Sequence, residues 1–256
     1  ITIDSADETT IVNDDDYNGW FMYMTSGRNR GKYYLITNTD ANTPDTISLN
    51  VSSTLKFTTG DGFTIVDRVY TKESKKNFGC GSGSGQSILC INTNGSASAP
   101  ITWNTSGTVI LDAQNVLVNA IKLYTPDYNI INGFILQNAL NNGMDLAQGS
   151  RANAVQNITF YNNGDSGLFF SNNSQDNNTV KDVLTFGNGR SGINLGRTQT
   201  VAFLKDITAY GNTLYGIEIQ GIDQGLAQKV NSFGNTSSGL YLSNGSDLWT
   251  IRESIF

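Results

Sequence analysis

Histidine is absent from the 256 residues, and cysteine occurs only twice. Without an imidazole, neither a Ser-His-Asp triad nor a Cys-His pair can be assembled. Two cysteines alone cannot supply the four ligands of a zinc site either. Proline is scarce, at 3 residues, and only 15% of positions are charged. No apolar run reaches the roughly 18 residues needed to span a bilayer, so membrane insertion is not expected. Basic residues are outnumbered, 16 against 22 acidic, giving a net charge of −6. With no basic stripe to meet phosphates, nucleic acid is excluded as a partner. The first residues, "ITIDSADETT", have neither a basic leader region nor an initiator Met, which suggests a processed or partial product.

What is present is glycine, 27 residues, with 38% hydrophobic and 10% aromatic residues. That is too apolar for a disordered tail and poor in the Ala, Glu, Lys and Leu of helical proteins, so strands and turns are expected. Cys80 and Cys90 flank the flexible stretch "GSGSGQSIL". A disulfide closing a surface loop in an oxidising compartment is one reading, and two free thiols are the other.

The strongest signal is a period. Short apolar triplets, each preceded by Gly, recur as "GMDL" at Gly143, "GLFF" at Gly167, "GINL" at Gly192, "GIEI" at Gly216 and "GLYL" at Gly239. "AIKL" places Ala120 in the same role. A second alternating segment belongs to each unit, as in "VQNITFY", "VKDVLTF" and "LKDITAY". Period-2 alternation with no 3.6 component makes these strands. Two or three short strands per ~24 residues, joined by Asn/Gly turns, describe one coil of a β-solenoid. A leucine-rich repeat has similar length, but its Leu lattice and helical segment are missing.

Several columns follow from stacking the coils. Asn163, Asn188, Asn212 and Asn235 each stand four residues before the aligned Gly and should form an amide ladder. Ile158, Val183, Ile207 and Val230 are expected to point inward, which leaves Tyr161, Phe186, Tyr210 and Phe233 as an aromatic column near the outer edge of the sheet. That column is either a structural stack or a sugar-binding strip. The outward position of the triplet strand holds Lys122, Asp145, Phe169, Asn194, Glu218 and Tyr241, one per coil. Such a row is either a solvated face or the lining of a glycan groove. Lys181 and Lys205 hold equivalent places on the other strand, beside Asp182 and Asp206 and flanked by Gln156 and Gln228.

On these repeats the chain, from about residue 55 to 256, resembles the right-handed parallel β-helix superfamily shared by pectate lyases, phage tailspikes and secreted adhesins. The resemblance implies an all-β, right-handed parallel β-helix of about 24 residues per coil, with a small N-terminal β cap or module over residues 1–54. It also implies a polysaccharide or cell-surface glycan as partner and an extracellular, cell-surface or virion location. In related lyases a Lys or Arg removes the proton α to a uronate carboxyl group, often with Ca²⁺ bound. By that analogy Lys181 or Lys205 would be the base and Asp182 or Asp206 metal ligands; the other reading of these residues is charge pairing between coils. Tyr17, Asn18, Gly19, Thr25, Ser26, Gly27, Gly31, Ile36 and Thr37 resemble a small β-module of phage structural proteins, or else belong to an ordinary cap. Asp14, Asp15 and Asp16 are a possible Ca²⁺ loop or a solvated turn. Asn-x-Ser/Thr matches such as Asn94 and Asn235 are expected by chance in so Asn-rich a chain. The last residues, "LWTIRESIF", are still strand-like, so further polypeptide or another subunit, in a homo-oligomer or larger assembly, is expected over that end. The expected role is a glycan-presenting adhesin or tail fibre, with a polysaccharide lyase or a ligand-free spacer as alternatives.

Overall fold

The structure, a computed structural model, describes residues 20–40, 46–49, 63–66, 68–71, 74, 76–78, 86–171, 177–196, 202–222 and 224–256. The chain divides into two compact units, residues 1–69 and 70–256. In the first, β1 (Phe21–Met24), β2 (Tyr33–Asp40), β3 (Thr46–Leu49) and β4 (Phe63–Val66) form an antiparallel sheet in the order β3-β2-β1-β4. Gly27 and Gly31, at φ 73° and 82°, lie between β1 and β2, where the left-handed backbone favours residues without Cβ. Met22, Met24 and Ile36 are its buried centre. β4 pairs with β1 from Phe21↔Val66 to Met24↔Phe63. Asp14, Asp15, Asp16, Tyr17, Asn18 and Gly19 lie outside the described residues. A short strand, β5 (Arg68–Tyr70), runs through the division point.

The second unit is a β-solenoid of about six turns, and the described residues contain no α-helix. Its strands are β6 (Lys76–Phe78), β7 (Ser87–Ile91), β8 (Ile101–Asp112), β9 (Asn119–Tyr124), β10 (Asn129–Gln137), β11 (Asn142–Ala147) and β12 (Ala154–Tyr161). They continue as β13 (Leu168–Phe170), β14 (Asn178–Phe186), β15 (Ser191–Leu195), β16 (Ala202–Tyr210), β17 (Tyr215–Gln220), β18 (Gly225–Phe233), β19 (Ser238–Ser243) and β20 (Trp249–Arg252). Even-numbered strands from β8 to β20 lie side by side in one parallel sheet, the long-strand sheet. β6 and the odd-numbered strands from β7 to β19 form a second, the short-strand sheet. Consecutive strands therefore alternate between sheets, and each coil contributes one strand to each.

Between the sheets the coil buries its apolar residues. In the coil carrying β12 and β13 these are Val155, Ile158, Phe160, Leu168 and Phe170, each at most 1% exposed. At about 1.5–3 kcal/mol per buried side chain, this contributes on the order of 10 kcal/mol toward offsetting the ordering of one coil. The inward set Ile158, Val183, Ile207 and Val230 is buried, in the register expected from the alternation.

Val155 and Ile158 both point inward although they are three positions apart, which a regular strand forbids. The long strands bend. Gly133, Asn157, Asp182, Asp206, Lys229 and Glu253 occupy equivalent positions in successive coils, and all have φ between 50° and 90°. One left-handed residue per coil turns the strand, so both of its halves face the core. Asn and Asp tolerate this conformation better than other residues with a Cβ.

The aligned glycines serve a different purpose. Gly143, Gly167, Gly192 and Gly216 are not left-handed. A Cβ at Gly192 would meet the carbonyl oxygen of Gly216 at 2.6 Å, and one at Gly167 would meet that of Gly192 at 2.6 Å. The column exists because neighbouring coils approach too closely there for a side chain. Gly167, which reads as a turn residue in the sequence, is a packing residue.

Candidate functional site

Two columns hold the coils together. Asn163, Asn188 and Asn212 are at most 1% exposed and form the expected ladder with Asn235. The Nδ2 of Asn163 donates to Asn188 Oδ1 at 3.0 Å, Asn188 to Asn212 at 2.9 Å, and Asn212 to Asn235 at 2.9 Å. Each Oδ1 also accepts the backbone N–H one coil back, ending with Ala139 N–H on Asn163. Thr185 and Ser232 hydroxyls take further amide hydrogens, of Asn188 and Asn235. A second ladder escaped the sequence reading. Asn129 and Asn153 donate their backbone N–H groups to Asn153 and Asn178 Oδ1 at 2.8 and 2.9 Å. Their recurrence at the start of "NIIN", "NAVQN" and "NTVKD" was the available signal.

Tyr161, Phe186, Tyr210 and Phe233 are aligned across neighbouring coils. Ring centroids lie 4.6, 5.1 and 5.3 Å apart, the last two pairs within 9° of parallel. Phe186 and Tyr210 each have a ring on both sides, so their faces are spent on their neighbours. Phe233, half exposed at 50%, ends the described stack.

Lys181 and Lys205 face each other across adjacent coils, with Gln156 and Gln228 flanking as expected. Each ammonium pairs with the carboxylate of the next residue, Lys181 with Asp182 at 3.1 Å and Lys205 with Asp206 at 3.9 Å. The pairing lies within a coil rather than between coils. Asp182 and Asp206 form the backbone corner, and among the described residues no group of three or more acidic, Cys or His residues comes together to hold a metal ion.

The outward row of the short-strand sheet is the most unusual feature. Lys122, Asp145, Phe169, Asn194, Glu218 and Tyr241 are in register, one per coil, and Cys90 precedes them. A solvated face would leave them open. Instead Asn194 is 3% and Glu218 1% exposed, and Cys90 is fully buried. The expected partner of Cys90, Cys80, lies outside the described residues. Only Tyr241 is exposed, and its ring stacks on Tyr215 at 4.5 Å.

Charges in the row are paired. Arg190 grips Glu218 at two points, Nε to Oε2 at 3.1 Å and a terminal nitrogen to Oε1 at 2.7 Å. Ser191 Oγ and Gln220 Nε2 also donate to this carboxylate. The hydrogen bond to Glu218 is the main reason the Arg190 guanidinium is pushed above its ordinary value, and burial opposes it. Lys122 Nζ stands 4.0 Å from Asp145 Oδ2 and 5.6 Å from the Tyr124 ring centre. Burial raises the Asp145 carboxyl to about 6, against the smaller opposing pull of Lys122. Asp145 Oδ1 and Asn194 Oδ1 are buried without a hydrogen-bond partner. The row thus combines a carboxyl that changes protonation near neutrality, two free acceptors and a half-buried aromatic ring, Phe169. Arg190 was not singled out from the sequence, and Lys122 and Asp145 were placed in the outward row without being read as a pair.

Stacked parallel sheets, alternating strands and an internal asparagine ladder define the architecture. This is a parallel β-helix fold. Neither the family models nor the curated protein sequences give a match. Among solved structures, pectate lyase Pel9A is similar at 15% identity over 67% of this chain and 55% of that one, with a TM-score of 0.45. The periplasmic alginate epimerase AlgG is similar at 17% identity over 67% of this chain and 44% of that one, TM-score 0.47. An alginate lyase from Paenibacillus sp. str. FPU-7 shares 14% identity over 71% of this chain and 99% of that one, TM-score 0.32. The chain thus spans about half the length of the pectate lyase and less than half of the epimerase.

Proposed function

We propose that this β-helix binds a polysaccharide along the outward row of its short-strand sheet, in an extracellular or virion-surface protein of adhesin or tail-fibre type. One observation carries the reading: Asp145 and Asn194 keep unpartnered acceptor oxygens on either side of the half-buried Phe169. Sugar hydroxyls are donors that would satisfy those oxygens, and a sugar's C–H face fits an aromatic ring. A site of this kind, with an apolar platform and a few placed polar groups, is how saccharide-sized ligands are held. No helix among the described residues is long and apolar enough to cross a membrane. The aromatic column on the long-strand sheet, with its ring faces covered by each other, serves the stack. Glycan-array binding followed by titration of Phe169→Ala and Asn194→Ala tests the reading. Each should weaken binding at least tenfold, or about 1.4 kcal/mol, and retention of full affinity by Phe169→Ala contradicts it.

The lyase alternative draws on the alignment of Lys181 with Lys205. It requires release of unsaturated uronates absorbing in the ultraviolet, abolished in Lys181→Ala or Lys205→Ala. Because both ammonium groups sit beside carboxylates at a partly exposed corner, the expected outcome is no such release.

A further inference from the structure

The charges of the outward row are already spoken for. Lys122 stands beside Asp145, and Arg190 makes a two-point contact with Glu218, so neither cation on this row is left over for an anionic ligand. What is left over is acceptor oxygen. Asp145 Oδ1 and Asn194 Oδ1 lack partners. Each buried acceptor without a donor costs about 1–3 kcal/mol, which a ligand bringing O–H or N–H groups recovers. A uronate brings the opposite: a further acceptor, and a negative charge set against a carboxyl in a poorly solvated place.

Asp145 and Asn194 are two strand spacings apart, about 9.6 Å along the helix axis, with Phe169 between them. Building on the glycan-binding reading above, we propose that this face takes a neutral, hydroxyl-rich saccharide and discriminates against polyuronates. The chain of the saccharide lies along the helix axis. Its hydroxyl or amide hydrogens donate to Asp145 and Asn194, and a pyranose face packs on Phe169. Asp145 is the entrance, since its side chain keeps 14% of its surface open and that of Lys122 keeps 19%. Specificity then rests on donor count and on the absence of an unpaired cation in the row, with Asp145 as the residue that repels a uronate.

Calorimetric titration of the full chain near pH 7.5 tests this with two sets of probes. The neutral set holds cello-, xylo-, manno- and galacto-hexasaccharides and the N-acetylglucosamine hexamer; the acidic set holds galacturonate and mannuronate hexamers. At least one neutral probe should bind, with both uronates at least tenfold weaker. Asp145→Asn should raise uronate affinity at least threefold. Uronate binding equal to or tighter than neutral binding overturns the selectivity and leaves the glycan face standing, as does unchanged uronate affinity in Asp145→Asn. Binding of no probe, or binding indifferent to Phe169→Ala, overturns the face itself and the selectivity with it.

Discussion

Asp145 shows how one coil position acquires chemistry. Its neighbours in the row are Lys122 and Phe169, so one side is charged and the other excludes water. Burial dominates and the folded carboxyl titrates at about 6 against an ordinary 3.8. The sign follows: the acid form is favoured by folding, its contribution is complete below about pH 4, and it is lost as pH rises through 6. The shift corresponds to about 3 kcal/mol. Asp145→Asn should therefore match the parent protein at pH 4 and exceed it in stability at pH 8, as urea unfolding would measure. A difference independent of pH would contradict this. Asn188 makes the contrasting case. Its Oδ1 accepts two hydrogens and its amide donates two, all buried. Asn188→Ala should cost about 3 kcal/mol, while Asn104→Ala, on an exposed amide pair, should cost under about 1 kcal/mol. The Asn163–Asn235 ladder was legible because Asn recurs before each Gly. The state of Asp145 was not, because alternation says which side chains leave the core but not how much water they meet outside it.

Each coil depends on two backbone devices. The glycine column admits the carbonyl of the next coil, so Gly192→Ala should cost at least about 2 kcal/mol through overpacking against Gly216. At Gly211, where nothing lies within 4 Å but φ is 61°, Ala should cost only about 1 kcal/mol of left-handed strain. Thermal melts of the two variants rank these costs, and the reverse order would contradict the packing role. The corner column is the second device. Lys229 holds φ 53° where coils before it use Asn157, Asp182 and Asp206. Lys229→Asn should stabilise the protein by about 0.5–1 kcal/mol, read as an upward shift in Tm. The strands themselves were legible from alternation. The corner was not, since "QNI" and "KDV" look like ordinary strand steps until Val155 and Ile158 are seen to share the core.

As a whole, the β-helix uses its two sheets differently. Along the long-strand sheet, the aromatic stack and the Lys–Asp corner satisfy themselves: rings cover rings, and each ammonium has a carboxylate beside it. Along the short-strand sheet, acceptors remain without donors around Phe169. Phe169, Asn194 and Glu218 were placed in one outward row from the sequence because their spacing follows the period. That Glu218 is consumed by Arg190 was not legible, since the two are 28 residues apart and meet only when coils stack. The deciding measurement is the affinity of Phe169→Ala for whichever glycan the parent chain binds, with an unchanged melt as the control for folding. A loss of at least tenfold is predicted, with Lys181→Ala and Lys205→Ala binding like the parent. Unaltered affinity in Phe169→Ala, or loss in the two lysine variants instead, would contradict a ligand face on the short-strand sheet.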